Sequence, residues 1–316
     1  MILRKKIESR EEWLAERKKS IGGSEAGSVV GMNPYRSAYT LWAEKTGRIP
    51  EFEGNLTTTV GAYLEDLVAH LFEEETGKKV RRENYILYNE KYPFAHATID
   101  RRVIGEDAIL EIKTTNSVPI MRAIRGSDEF PEAYYAQCVH YLAVTDSRIC
   151  YLAVLINCRE LKIYKLERDE DEIAALMQAE KEFWTEYVEK NVPPAPDGSD
   201  STTETVSALY PDSDGSECDL TAYEQWLEER MILDHQISDL KRLKEEADNR
   251  VKDYMMASVR GESPHYKVSW CEQTRSTFDK TAFQIDNPEI DLEKYYKKTK
   301  SRVFKVTMKK ERNSEI

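Results

Sequence analysis

Residues 96–115, HATIDRRVIGEDAILEIKTT, decide how the rest of the chain is read. Asp100 closes one short apolar run, Gly105, Glu106 and Asp107 form a turn signal, and residues 108–115 return as an apolar, β-branched run. The spacing predicts a hairpin that brings Asp100 back beside Glu111. Side chains two apart on a strand share a face, so Glu111 and Lys113 point to one side, with Ile112 between them on the other. Two carboxylates on a rigid sheet are hard oxygen ligands of the kind magnesium takes, and a nearby lysine can orient a water for attack on a phosphate. An acid-x-Lys pair also fits a solvated cross-strand ion pair. Ile109, Leu110 and Ile112 weigh against that, because they suggest a strand buried on both faces, where an unpaired charge is costly.

Upstream, residues 10–20 read as a charged helix with Trp13 and Leu14 as its apolar contacts. Gly22 and Gly23 then free the backbone before Ser24, which reads as the cap of a new helix whose exposed amides attract an anion. Tyr35 and Arg36 share a Pro-containing turn, an aromatic and a cation suited to a base and a phosphate or to simple packing. Residues 59–76 place Val60, Leu64, Leu67, Val68, Leu71 and Phe72 three and four apart, an amphipathic helix ended by Gly77. Glu65 falls beside that apolar stripe, a place for a carboxylate at a helix–sheet junction.

Residues 79–88 and 94–103 read as strands ahead of the Glu111 strand. Downstream, 132–144 is a helix on which Gln137 and Tyr141, four apart, share a face. His140 reads as a packing residue. Strands at 148–157 and 160–166 and a helix over 169–190 follow. Residues 191–217, rich in Pro, Ser, Thr, Asp and Gly, read as a linker. Domain limits of 1–192, a linker at 193–216 and an appendage at 217–316 are therefore expected. The appendage opens with a long helix over about 221–259, where Trp226, Leu233, Leu240, Ala247 and Tyr254 recur every seven residues. The companion positions, Arg230, Ile237, Lys244, Val251 and Ser258, are apolar only at alternate steps, which favours an amphipathic helix docked on something over a strong coiled coil. A strand at 266–271, a short helix after Phe278, a last strand at 302–308 and a basic cluster from Lys294 to Arg312 complete the chain.

A length of 316 residues suits one large domain with an appendage, and 40% hydrophobic with 10% aromatic residues is enough for a core. The formal charge of −12 excludes loose whole-surface affinity for nucleic acid, so DNA would have to be met by local basic patches or through metal ions. Five scattered cysteines with no C-x-x-C pair make a zinc or iron–sulfur site unexpected. No window reaches a membrane-spanning length, and a reduced, cytoplasmic protein is expected.

Four blocks stand in order: IGGSEAGSVVGMNPYRSAYTLWAEKTG (21–47), GAYLEDLVA (61–69), HATIDRRV with ILEIKTT (96–103 and 109–115), and YYAQCVHYLAVT (134–145). Together they resemble the PD-(D/E)xK nuclease superfamily and, within it, the YqaJ-type viral recombinases, relatives of phage lambda exonuclease. The resemblance covers roughly residues 13–190 and departs in having Ile99 where the superfamily's name has proline. It implies an α/β fold with a restriction-endonuclease-like mixed central β-sheet flanked by helices, joined here to a C-terminal long helix and a small α+β appendage. Asp100, Glu111 and the backbone carbonyl of Ile112 would hold a first Mg²⁺ and Glu65 would help hold a second, with Mn²⁺ able to substitute. Lys113 would position or activate the attacking water with Gln137 in support. Arg17, Ser24 and Thr98 resemble a pocket for a 5′-terminal phosphate, and Tyr35, Arg36 and Tyr141 would add DNA contacts.

The activity so implied is 5′-to-3′ resection of double-stranded DNA ends in a bacterial host, by a phage- or prophage-encoded enzyme. Its implied partners are a single-strand annealing protein of the RecT or Redβ kind and further copies of itself in a trimeric or tetrameric ring. A PD-(D/E)xK endonuclease and a non-catalytic DNA-binding or scaffold protein are the alternatives.

Overall fold

Two units follow one another along the computed structural model: Met1–Tyr210, and the residues from Pro211 on. The structure describes residues 1–127 and 129–308. In the first unit, strand β1 (Ile2–Lys6) leads to helix α1 (Arg10–Arg17), which Ser9 caps by accepting from the Glu12 amide. Strand β2 (Ile21–Gly22) and helices α2 (Gly23–Val29) and α3 (Ala38–Lys45) follow, α3 capped by Ser37. Helix α4 (Leu56–Thr76) starts at an Asn55 cap and stops at Gly77, whose φ of 69° is the left-handed conformation that glycine adopts without strain.

Strands β3 (Val80–Arg82), β4 (Tyr85–Asn89), β5 (Ala95–Ala97), β6 (Arg101–Val103) and β7 (Ala108–Thr115) come next. Helices α5 (Val118–Gly126) and α6 (Glu132–Thr145) and strands β8 (Ile149–Ile156) and β9 (Glu160–Glu167) follow. Helix α7 (Glu170–Glu182) runs on through a π-helical segment (Phe183–Glu189), and α8 (Asp200–Leu209) closes the unit. The second unit holds α9 (Glu224–Met255), a hairpin of β10 (Arg260–Glu262) and β11 (Lys267–Ser269), and α10 (Lys280–Asp286).

The central sheet is mixed, in the order β3-β6-β7-β8-β9. Strands β6 and β7 are antiparallel, as the hairpin reading requires, and Gly105 at φ 80° makes the turn between them. Strand β8 lies parallel to β7, which needs a helical crossover, and α5 and α6 supply it. Alternation along β7 buries both its faces. Ile109 joins the core made with α6 and α7, while Ala108, Leu110 and Ile112 pack under Val68 and Phe72 of α4. The helix-flanked mixed α/β class and the long C-terminal helix are thus the ones expected.

Several expectations are corrected. The runs at 79–88 and 94–103 each split between two sheets: β3 and β6 enter the central sheet, while β4 and β5 join β1 and β2 in a second sheet ordered β1-β4-β5-β2. The first break falls at Glu83, a buried carboxylate that accepts from Arg102 (2.6 Å); the second falls at residues 98–100, where the Asp100 carboxylate accepts from the Ile112 amide (2.8 Å). Both are tertiary bonds that local periodicity does not register.

The segment 193–216 also departs from a simple linker, because α8 lies inside it. Ser201, Thr202 and Thr205 hydrogen-bond Ser37 and Thr40 at the start of α3, and Thr202 and Thr205 are buried. Hydroxyl-rich composition, which reads as a tether, serves here as a polar packing seam. Residues 302–308 form no strand, having no partner ladder among the described residues. In the basic cluster, Lys294 to Lys305 are exposed, while Lys309, Lys310 and Arg312 lie outside the described residues.

Candidate active site

Register places the first carboxylate. Arg101 pairs with Leu110 across the β6–β7 ladder, so Asp100, one step further, stands opposite Glu111 and on the same side of the sheet. Its Oδ2 accepts from the Ile112 amide at 2.8 Å. Glu111 is 3% exposed, and its Oε1 accepts from Lys113 Nζ (2.5 Å) and from Gln137 Nε2 (2.6 Å). Gln137 also donates to the Tyr141 hydroxyl at 3.0 Å, so the shared face of α6 is the lid over this point. Tyr134, which the sequence reading passed over, places its ring 5.8 Å from Lys113 Nζ. Only its spacing of three from Gln137 hinted at this.

The electrostatics assign states. Burial, and then the Glu111 charge beside it, raise the Asp100 carboxyl well above its ordinary range, against the opposing pull of Lys113. Burial works against the Lys113 charge too, but Glu111 and Asp100 outweigh it and its pKa is raised. Lys113 is therefore an ammonium at neutral pH, a donor rather than a base. Burial followed by the Glu111 and Asp100 charges raises Tyr141, which stays a phenol.

The donor set fits a hard cation. Glu111 Oε2 is buried with no hydrogen-bond partner among the described residues, a costly state that a divalent ion would relieve, as it would the crowding of Asp100 against Glu111. No group of three or more His, Cys, Asp or Glu side chains is gathered into a metal cluster among the described residues. Magnesium is suited to so small a set, since it keeps several waters and is held by one or two carboxylates. Glu65 stands nearby on α4, half-buried, and is hydrogen-bonded to the Arg101 guanidinium, whose other nitrogen donates to Asp66 at 2.7 Å. Arg101 is buried and adds a partner to Glu65 that sequence reading did not assign.

Arg17, Ser24, Tyr35 and Arg36 line one cleft of about 680 Å³. Thr98 is not among the residues that form it and lies half-buried just after β5. Ser24 is not the helix cap expected of it. Gly22 holds that place, its amide donating to Glu25 Oε2 (2.8 Å), and Ser24 is exposed in the first turn of α2. The paired glycines serve close approach instead: a Cβ on Gly22 would come 2.9 Å from His96 Nε2, and one on Gly23 2.3 Å from Tyr141 Cε1.

The cations of this cleft are already engaged. Glu25, 2% exposed, meets Lys45 at 2.7 Å and Arg17 at 3.1 Å. Burial opposes its charge, yet Lys45, Arg36 and Arg17 hold its pKa down at about 2. Arg36 donates to Glu44 (3.1 Å), to Ser28 Oγ and to the Ser24 carbonyl. Tyr35 is 66% exposed and reaches Ser117 Oγ at 2.9 Å. His140 is fully buried between Glu180 (2.8 Å) and the His96 carbonyl (2.8 Å), a packing residue as expected.

An Asp at the entry to one strand of a hairpin, Glu-x-Lys on the other strand and a helix closing over them define a mixed-sheet α/β protein of the PD-(D/E)xK class. The YqaJ-like viral recombinase domain matches residues 12–148, and the chain belongs to that family. It is 36% identical over 301 residues to the uncharacterized protein YqaJ of Bacillus subtilis (strain 168), covering 94% of this chain and 93% of that protein. Among solved structures it is similar to an alkaline exonuclease from Laribacter hongkongensis, at 22% identity and a TM-score of 0.49, over 63% of this chain and 100% of that one. It is also similar to a phage related exonuclease from Haemophilus somnus 129PT, at 13% identity and a TM-score of 0.43, over 54% and 96% of the two chains.

Proposed function

We propose that this chain is a divalent-metal-dependent nuclease that resects linear double-stranded DNA from 5′ to 3′ and leaves a 3′ single strand for annealing recombination. The observation that carries this reading is the meeting of Asp100, Glu111 and Lys113, with Glu111 Oε2 buried and unpartnered among the described residues. Asp100, Glu111 and the Ile112 carbonyl would hold a first Mg²⁺, and Glu65, once released from Arg101, would help hold a second; Mn²⁺ would serve in place of either. Such ions supply charge stabilisation at the phosphate and acidify bound water.

The side chains do the rest. Lys113, as an ammonium, donates to the attacking water and offsets the negative charge that builds on the phosphate oxygens. Gln137 fixes Glu111 Oε1 and Tyr141 braces Gln137. Arg17 and Ser24 of the cleft, with Thr98 reaching in from just outside it, would take a 5′-terminal phosphate, which must compete with Glu25 for Arg17, and Tyr35 and Arg36 would contact the strand beyond. Assembly as a trimeric or tetrameric ring around DNA would make a net-acidic chain processive. The region from Glu217 on would provide ring contacts or the dock for a RecT- or Redβ-like annealing protein. The setting so implied is the cytoplasm of a bacterial host carrying the phage or prophage.

Digestion of end-labelled linear duplex, with and without Mg²⁺ and a 5′ phosphate, tests this. Digestion should need the metal and prefer phosphorylated ends. Glu111→Ala and Lys113→Ala should each lose at least ~10²-fold in rate while staying folded. Full activity in either variant would break the assignment. Equal rates on phosphate and hydroxyl 5′ ends would remove only the terminal pocket, and cutting of closed circular duplex would favour the endonuclease.

A further inference from the structure

Helix α9 shows solvent a long apolar stripe. Trp226, Leu233 and Leu240 recur every seven residues with Ile237 and Val251 at companion positions, and their exposures run from 45% to 67%. At the amino-terminal end of the stripe the Phe304 ring lies 5.7 Å from the Arg230 guanidinium. A stripe of this length, edged by charges, marks an interaction surface.

We propose that the stripe is covered by α9 of a second copy of this chain, packed antiparallel. Charge decides both the partner and the direction. With Ile237 of one helix set against the partner's Leu240, Trp226 meets the partner's Val251, and Arg230 meets the partner's Ala247, a long side chain over a small one. Lys244 lays its stem along the partner's Leu233. In this register Glu229 faces the partner's Arg250 and Asp234 faces the partner's Lys241, opposite charges both times. Each contact occurs twice, because the pair is two-fold symmetric. All four flanking side chains are exposed.

The parallel alternative sets Glu229 beside the partner's Asp234 and stacks Arg230 on Arg230 and Lys244 on Lys244, like charges throughout. Within one chain Arg230 bonds Asp234 (2.8 Å) and Arg250 bonds Glu246 (2.6 Å), exposed helix pairs of little strength that can exchange partners. A helix from an unrelated protein has no reason to match this self-complementary pattern. The pairing stands apart from the nuclease reading and requires an even number of copies. A tetramer of two such pairs satisfies it, and an isolated trimer does not.

The test is the mass of the full-length chain by sedimentation equilibrium, for the wild type, Glu229→Lys, Arg250→Glu and an equimolar mixture of the two variants. Each variant alone opposes like charges twice and should associate about tenfold more weakly or worse. The mixture should recover wild-type association, since each variant supplies the charge the other now lacks. A monomeric or odd-numbered wild type, variants that associate as the wild type does, or a mixture no tighter than its components would each overturn the pairing.

Discussion

Gln137 and Glu25 show how single side chains set the chemistry of their surroundings. Gln137 holds Glu111 by one oxygen and leaves the other without a partner among the described residues, so Gln137→Ala should keep the fold and lower activity roughly 10- to 100-fold, the usual effect of losing a group that orients a metal ligand. A kinetic comparison with Gln137→Glu is informative, since a second carboxylate there would crowd Glu111 and should be worse than alanine. Folding lowers the Glu25 pKa from 4.5 to about 2. Its contribution to stability is therefore present at neutral pH and is lost as pH falls from about 4.5 toward 2. Thermal midpoints measured across that range should drop more steeply for the wild type than for Glu25→Gln. At pH 7, Glu25→Ala should destabilise by about 3–5 kcal/mol, because it leaves Lys45, whose pKa burial already lowers, in a buried place without its counter-charge.

Elements are held to the site by contacts that tolerate no extra atoms. Helix α2 rests on α6 through Gly23 against the Tyr141 ring. Gly23→Ala would ordinarily favour a helix by about 1 kcal/mol, but the added carbon meets the ring and overpacking of this kind costs about 1–3 kcal/mol. The expected outcome of denaturant unfolding is a net loss of stability, together with weaker activity as Tyr141 and Gln137 are displaced. An unchanged or higher midpoint would mean that the ring has room to move. The hairpin itself was legible in the sequence, because a turn signal between two apolar runs and the two-residue period of β7 are local properties. The split of the runs at 79–88 and 94–103 was not, because Glu83 and Asp100 redirect the chain by bonding residues on other strands.

At the scale of the whole molecule, the first unit ends at Tyr210, well beyond the 192 suggested by composition. Residues 1–210 should fold alone. Truncation at 192 removes α8 and strips Ser37 and Thr40 of the hydrogen bonds they make to it, so its thermal midpoint should fall clearly below that of the longer fragment. Equal midpoints would restore the shorter boundary.

The mixed α/β class followed from the resemblance carried by the four sequence blocks, while periodicity and turn chemistry were enough for the hairpin, the face shared by Glu111 and Lys113 and the long helix of the second unit. Each of these last three depends on neighbours close in sequence. Only the tertiary structure decided that Ser24 is no cap, that Glu65 lies against Arg101, that the cations near Arg17 are already paired, and that Glu111 keeps one oxygen without a partner among the described residues. These are outcomes of competition among charged groups brought together from distant segments, and no local pattern records which partner wins.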